Sequence, residues 1–155
     1  MEQRELIEKL IAAGITVATA ESCTGGLIAA AITDVAGASA VFGYGLVTYS
    51  NEAKQTILGV KKETLTIYGA VSEECAYEMA QGLKKVSGAD CAVSVTGIAG
   101  PGGGSVEKPV GLVYMGLAWK DKIYVKKNLF QGSRDEIRQQ TVKTVFAFIE
   151  EKVFL

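Results

Sequence analysis

The run Cys91-Ala92-Val93-Ser94-Val95-Thr96 is small, apolar or β-branched throughout, with no charged residue alternating through it. That is the pattern of a strand covered on both faces, which requires helices above and below the sheet. The rest of the chain supplies them. Leu6, Ile7, Leu10 and Ile11 recur at helical spacing over residues 2–13, and Gly14 is placed to end that helix. Residues 15–20 read as a short buried strand that runs into Glu21-Ser22-Cys23-Thr24-Gly25-Gly26 and then into an alanine-rich helix from Leu27. Residues 41–49 form a second strand, followed by a short helix capped at Ser50-Asn51 that carries Lys54 and turns Ile57 and Leu58 inward. Residues 64–68 are ambiguous. Ser72-Glu73-Glu74 opens a helix through Lys85 that Gly88 closes, with its acids at the favourable end of the helix dipole.

After residues 91–96 comes a loop of glycines, residues 97–108, long enough to suggest a function. Residues 109–119 and 123–130 flank Lys120-Asp121-Lys122 as a hairpin, and Ser133 with Glu136 makes a capping box for a last helix. Ile137, Val142, Val145, Phe146 and Ile149 line one side of that helix. The order αβαβααβββα with a single hairpin predicts an α/β fold, a mixed sheet sandwiched between helices. At 155 residues one domain, 1–155, is expected.

Charge and composition remove several functions. With no histidine in the chain, every imidazole general base and every Ser-His-Asp or Cys-His site is excluded. Sixteen Lys and Arg against 17 Asp and Glu give a net charge of −1, a poor match to a phosphate backbone, so no nucleic-acid partner is expected. Cys23, Cys75 and Cys91 show no CxxC spacing, so neither a disulfide framework nor a metal site is expected. The start of the chain lacks the basic and apolar regions of a secretory signal. The longest uncharged stretch, residues 35–51, is broken by three glycines. A cytoplasmic protein without a membrane segment is the expectation. The open edge of the hairpin, residues 110–130, favours a homo-oligomer unless the first or last helix covers it.

Chemistry must then run on Ser, Thr, Cys, Lys, Tyr or carboxylates. Three polar segments fall at the carboxyl ends of expected strands, where open α/β sheets place their sites: residues 21–26, 49–54 and 96–105. Ser22, between strand and helix, is either a nucleophile backed by helix amides or a simple helix cap. Lys54 is either a solvated surface lysine or a base. The second role needs its ammonium destabilised by about 4 kcal/mol, through burial or a neighbouring cation. Cys23 is a rival nucleophile or a small buried side chain. The glycine loop lacks the spacing of a dinucleotide or phosphate-binding fingerprint; it is a ligand-approaching loop or a plain surface loop.

Glu21-Ser22-Cys23-Thr24-Gly25-Gly26, residues 47–54 (Val-Thr-Tyr-Ser-Asn-Glu-Ala-Lys), Gly69-Ala70-Val71-Ser72, and residues 95–103 (Val-Thr-Gly-Ile-Ala-Gly-Pro-Gly-Gly) together resemble the CinA C-terminal domain family, the PncC-type nicotinamide mononucleotide deamidases. The resemblance runs over nearly the whole chain and leaves no room for the molybdopterin-binding-type domain of the family's larger members, which implies a stand-alone domain. It implies a three-layer α/β/α sandwich with a mixed, mostly parallel sheet. The implied reaction is hydrolysis of the carboxamide of nicotinamide mononucleotide to nicotinic acid mononucleotide and ammonia, in pyridine nucleotide recycling, without a cofactor. Carried over by motif, Ser22 and Lys54 form a catalytic dyad, with Tyr49 and Thr96 relaying protons or holding Lys54. Thr24, Gly25 and Gly26 supply oxyanion amides, and Gly100, Gly102, Gly103 and Arg138 contact the substrate, with Arg134 as the alternative arginine. A non-catalytic module that binds a nucleotide or a partner, associated with competence and DNA damage, is the competing reading.

Overall fold

In the computed structural model, which describes residues 2–155, the elements are α1 (Gln3–Ala13), β1 (Val17–Glu21), α2 (Leu27–Thr33), β2 (Phe42–Val47), α3 (Asn51–Leu58), α4 (Lys62–Ile67), α5 (Glu73–Ser87), β3 (Cys91–Gly97), β4 (Leu112–Trp119), β5 (Lys122–Leu129) and α6 (Arg134–Phe154). The ambiguous stretch around residues 64–68 is thus helical. Local chemistry sets the element ends. Gly14, at φ 67°, stops α1 in the left-handed region that glycine enters without cost. The Ser50 and Ser72 side chains accept from the Ala53 and Cys75 amides, and Ser133 with Glu136 completes its capping box at the start of α6.

The strands lie in the order β2-β1-β3-β4-β5. β1 runs parallel to both β2 and β3, whereas β3–β4 and β4–β5 are antiparallel, so β4 alone opposes the common direction. The α/β class and the mixed, mostly parallel sheet follow the expectation. Helices α1, α2 and α6 cover one face, and α5, flanked by α3 and α4, covers the other. β3 divides its side chains accordingly: Cys91, Val93 and Val95 join Leu6, Ile28 and Ile149 in the larger core, while Ala92 joins Met79 and Leu83 in the smaller one.

The smaller core is built from small residues because α5 lies close to the sheet. Ser94 Oγ donates to Ala76 O at 2.7 Å. A side chain at Gly116 would begin 2.4 Å from that same carbonyl oxygen, so only glycine fits there. Among the described residues, no helix is long and apolar enough to cross a membrane. The parallel run of β2, β1 and β3 brings their carboxyl ends, and with them all three polar segments, to one end of the sheet.

Candidate active site

The turn after β1 is anchored from three sides. Ser22 N–H donates to Val95 O at 3.1 Å, which fixes the turn against β3. Glu21, buried at the end of β1, folds its carboxylate back over the start of α2. One oxygen accepts from Gly26 N (3.2 Å) and Ile28 N (2.9 Å), and the other accepts from Ala29 N (3.0 Å). This carboxylate supplies the capping acceptor that the helix lacks locally, since its N-cap residue is Gly26 at φ 107°. From α6, Arg138 Nε donates to Cys23 O and Arg138 Nη2 to Thr24 O, both at 3.1 Å. Arg138, expected to contact substrate, donates from Nε and Nη2 to the turn that presents Ser22 and is not among the residues lining the cleft beside it.

Lys54 takes the inward position on α3 together with Leu58, one helical turn on, whereas Ile57, expected inside, is 43% exposed. Only 1% of Lys54 is accessible to solvent. Its Nζ donates to Ser22 Oγ (3.1 Å), Thr48 O (3.0 Å) and Tyr49 O (3.1 Å). Among the described residues no carboxylate pairs with it, and burial, the largest influence, lowers its pKa from the ordinary 10.5. The three acceptors matter individually. An ammonium has three hydrogens to give, and all three are placed. A neutral amine has two, and two of the acceptors are carbonyls that can only accept. Loss of the proton therefore leaves both remaining N–H groups on Thr48 and Tyr49 and turns the lone pair to the Ser22 hydroxyl.

Ser22 and Lys54 open into a cleft of about 230 Å³ together with Tyr49, Thr96 and Arg134. Tyr49 acts on Lys54 through its backbone carbonyl, and its side chain, 61% exposed, stands at the rim. Thr96, buried, donates its hydroxyl to Ala70 O at 2.8 Å and so ties the wall formed by Ala70 and Val71 to β3. Arg134 is the arginine in the cleft, and its Nη1 also donates to Gly100 O at 2.9 Å. Gly100 is buried with its carbonyl thus engaged, while Gly102 and Gly103 are exposed on the loop and lie outside the cleft lining.

Two of the three turn amides expected to face an oxyanion already have acceptors within the chain. Gly25 N–H donates to Ser22 O, and Gly26 N–H to Glu21. Among the described residues the N–H groups of Cys23 and Thr24 donate to no main-chain carbonyl, so the turn amides not spent on other main-chain groups sit one and two residues after Ser22. Burial pushes the Cys23 thiol up to about 11, against the lowering influence of Arg138 and Lys54. That side chain is a protonated core group at neutral pH. Among the described residues, no group of three or more His, Cys, Asp or Glu is arranged to hold a metal ion. A larger cleft, about 790 Å³ between α1, α2 and α6, contains no comparable pairing of nucleophile and base among its described residues.

A model of the CinA C-terminal domain matches residues 2–153. The chain belongs to the CinA C-terminal domain family. Among relatives of this CinA domain, a competence-damage inducible protein of Caldanaerobacter subterraneus is 56% identical over 149 residues, 96% of this chain and 36% of its own length. A CinA-like protein of Kosmotoga olearia is 56% identical over 136 residues, covering 88% of this chain and 33% of its own length. The chain thus spans about a third of the curated relatives it matches. The crystal structure of the competence damage-inducible protein A of Klebsiella pneumoniae superposes with a TM-score of 0.93 at 38% identity, over 99% of this chain and 98% of that one. The competence/damage inducible protein CihA of Agrobacterium tumefaciens gives 0.91 at 48% identity, over 96% and 94%.

Two roles in this CinA domain escaped sequence reasoning. Glu21 was visible only as the first letter of its motif, although an acid placed just before a glycine turn and a helix is a cue for capping from the strand side. The exchange of duties between Arg134 and Arg138, one helical turn apart, carries no local signal, because both lie on the same side of α6.

Proposed function

We propose that this domain hydrolyses the carboxamide of nicotinamide mononucleotide, giving nicotinic acid mononucleotide and ammonia, with Ser22 as nucleophile and Lys54 as its base. The observation that supports this reading is the buried Lys54 amine, 3.1 Å from Ser22 Oγ, with its other two hydrogens committed to main-chain carbonyls. Ser22 Oγ attacks the carboxamide carbon as its proton passes to Lys54, and the developing oxyanion is held by the Cys23 and Thr24 amides. The C–N bond breaks as Lys54 returns the proton to the nitrogen, and ammonia leaves. Water then attacks the acyl-Ser22 ester, giving a proton to Lys54, and as the bond from the acyl carbon to Ser22 Oγ breaks Lys54 returns that proton to Oγ, releasing the acid and restoring the serine hydroxyl and the neutral amine. Tyr49 and Thr96 serve as positioning residues, one through its carbonyl and the other through the Ala70 wall. Arg134 is the cation available to an anionic part of the substrate.

The relatives' names speak of competence and damage rather than chemistry, and the competing reading is a nucleotide- or partner-binding module. One pair of variants separates the two. Ser22→Ala and Lys54→Arg should each abolish ammonia release from nicotinamide mononucleotide while Cys23→Ala retains it. A binding module would release no ammonia in any form and would keep its ligand affinity in Lys54→Arg. Ammonia release unchanged in Ser22→Ala would remove the proposed mechanism.

A further inference from the structure

We propose that Lys108 is a positioning residue of the cleft, whose amine clips the end of the glycine loop to the wall segment Tyr68-Gly69-Ala70-Val71 and so holds that wall against a bound substrate. The loop, residues 97–108, reaches Lys108 through residues 101–107, all of them exposed, whereas Lys108 itself is partly buried. A turn closes just before it: Ser105 N–H donates to Lys108 O at 2.8 Å, and Lys108 N–H donates to Ser105 Oγ at 3.0 Å. From this turn the Lys108 side chain leaves the loop, and its Nζ donates to Tyr68 O. Tyr68 is the residue at which α4 ends, so its carbonyl needs a donor from outside that helix.

Side chains fix the wall. Three successive carbonyls accept from three different elements: Tyr68 O from Lys108 Nζ, Gly69 O from Ser72 Oγ at 2.8 Å, and Ala70 O from Thr96 Oγ1 at 2.8 Å. Ser72 caps α5 and Thr96 lies in β3, and both are buried, so two of the ties belong to the frame of the fold. Lys108 is the tie that comes from the loop. The close approach requires glycine at position 69, which stands at φ 82°: a side chain there would begin 2.9 Å from the Lys108 amine. Near its other end the loop is held by Arg134, which donates to Gly100 O. Ala70 and Val71 of the wall, Gly97 and Ala99 of the loop, and Arg134 all line the cleft of Ser22 and Lys54. The clip therefore makes loop and wall yield together or not at all. The Lys54 amine bonds to Ser22, Thr48 and Tyr49, none of which belongs to the wall, so opening the clip loosens the binding surface and leaves the nucleophile and its base in place.

The kinetic consequence rests on the proposed amide hydrolysis and the clip itself does not, so two measurements keep them apart. Hydrogen exchange read by mass spectrometry on the ligand-free chain reports the clip. Lys108→Met, which keeps the apolar stem and removes the donors, should speed exchange in residues 65–72 and 98–112 and leave β1 and α6 as in wild type. Gly69→Ala should speed exchange in residues 98–112 as well, although that loop is unaltered, and the double variant should exchange there no faster than Lys108→Met alone. In ammonia release from nicotinamide mononucleotide, Lys108→Met should raise KM about tenfold, the worth of one hydrogen bond to a charged group, with kcat within about twofold of wild type. Unchanged exchange in Lys108→Met would overturn the clip, and a fall in kcat at constant KM would overturn its role in holding substrate. A wild-type protein that releases no ammonia, with variants that exchange as expected, would overturn the reaction and leave the clip standing.

Discussion

Replacing Glu21 by glutamine changes one atom and tests how the nucleophile turn is held. The carboxylate accepts three main-chain N–H groups, at 3.2, 2.9 and 3.0 Å, across its two oxygens. Glutamine keeps one oxygen, which can still serve Gly26 and Ile28, but sets an amide NH₂ against the Ala29 N–H. Leaving that part-buried donor unpaired costs at most about 1–3 kcal/mol. Loss of the negative charge at a helix N-terminus adds about 0.3–1 kcal/mol. The sum, about 1–4 kcal/mol, corresponds to a fall in melting temperature of roughly 3–15 °C for a domain of this size. Thermal unfolding followed by circular dichroism, with a urea titration to check that the slope is unchanged, measures it. Because the turn that Glu21 anchors carries Ser22, turnover should fall as well, with the loss in kcat rather than KM. A melting temperature within about 1 °C of wild type would refute the carboxylate as the anchor of α2 and of the turn.

Other outcomes follow from the same geometry. Burial lowers the Lys54 pKa from 10.5, so kcat/KM should rise with pH to a plateau reached below that ordinary value. Stability follows with the same sign: between the lowered value and 10.5 the unfolded chain binds the extra proton, so stability rises with pH across that window. Lys54→Met should flatten this rise in a series of urea titrations. Arg134→Ala should raise KM with little change in melting temperature, whereas Arg138→Ala, which frees two carbonyls of the Ser22 turn, should lower kcat and stability together by about 1–3 kcal/mol. With the Cys23 thiol pushed up to about 11, iodoacetamide at neutral pH should leave the native protein unmodified and active. Rapid labelling with loss of turnover would return the thiol to the mechanism.

Much of the fold was legible because its signals are local. The uniform run at residues 91–96, the serine caps at 50, 72 and 133, and the glycine at 14 act within a few residues of where they stand, and the structure places them accordingly. The short helix of Lys54 was legible in position but not in orientation. A lysine and an isoleucine competed for its inner face, and helical spacing alone favours the isoleucine. The structure buries the lysine because three acceptors from the segments just after β1 and β2 converge on its amine.

Sequence by itself determined what chemistry was excluded: a chain without histidine has to find its base among lysine, tyrosine and carboxylates, and composition does not depend on folding. It also determined which segments would meet in the candidate site, since glycine turns and caps are properties of neighbouring residues. Only the tertiary structure decided the protonation preference of Lys54, the division of labour between Arg134 and Arg138, and which turn amides remain free. Each depends on desolvation and on hydrogen-bond partners from other elements, 32 residues away for Ser22 and Lys54 and 115 for Cys23 and Arg138. A pKa and a spent donor are properties of an environment, and that environment exists only once the chain has folded.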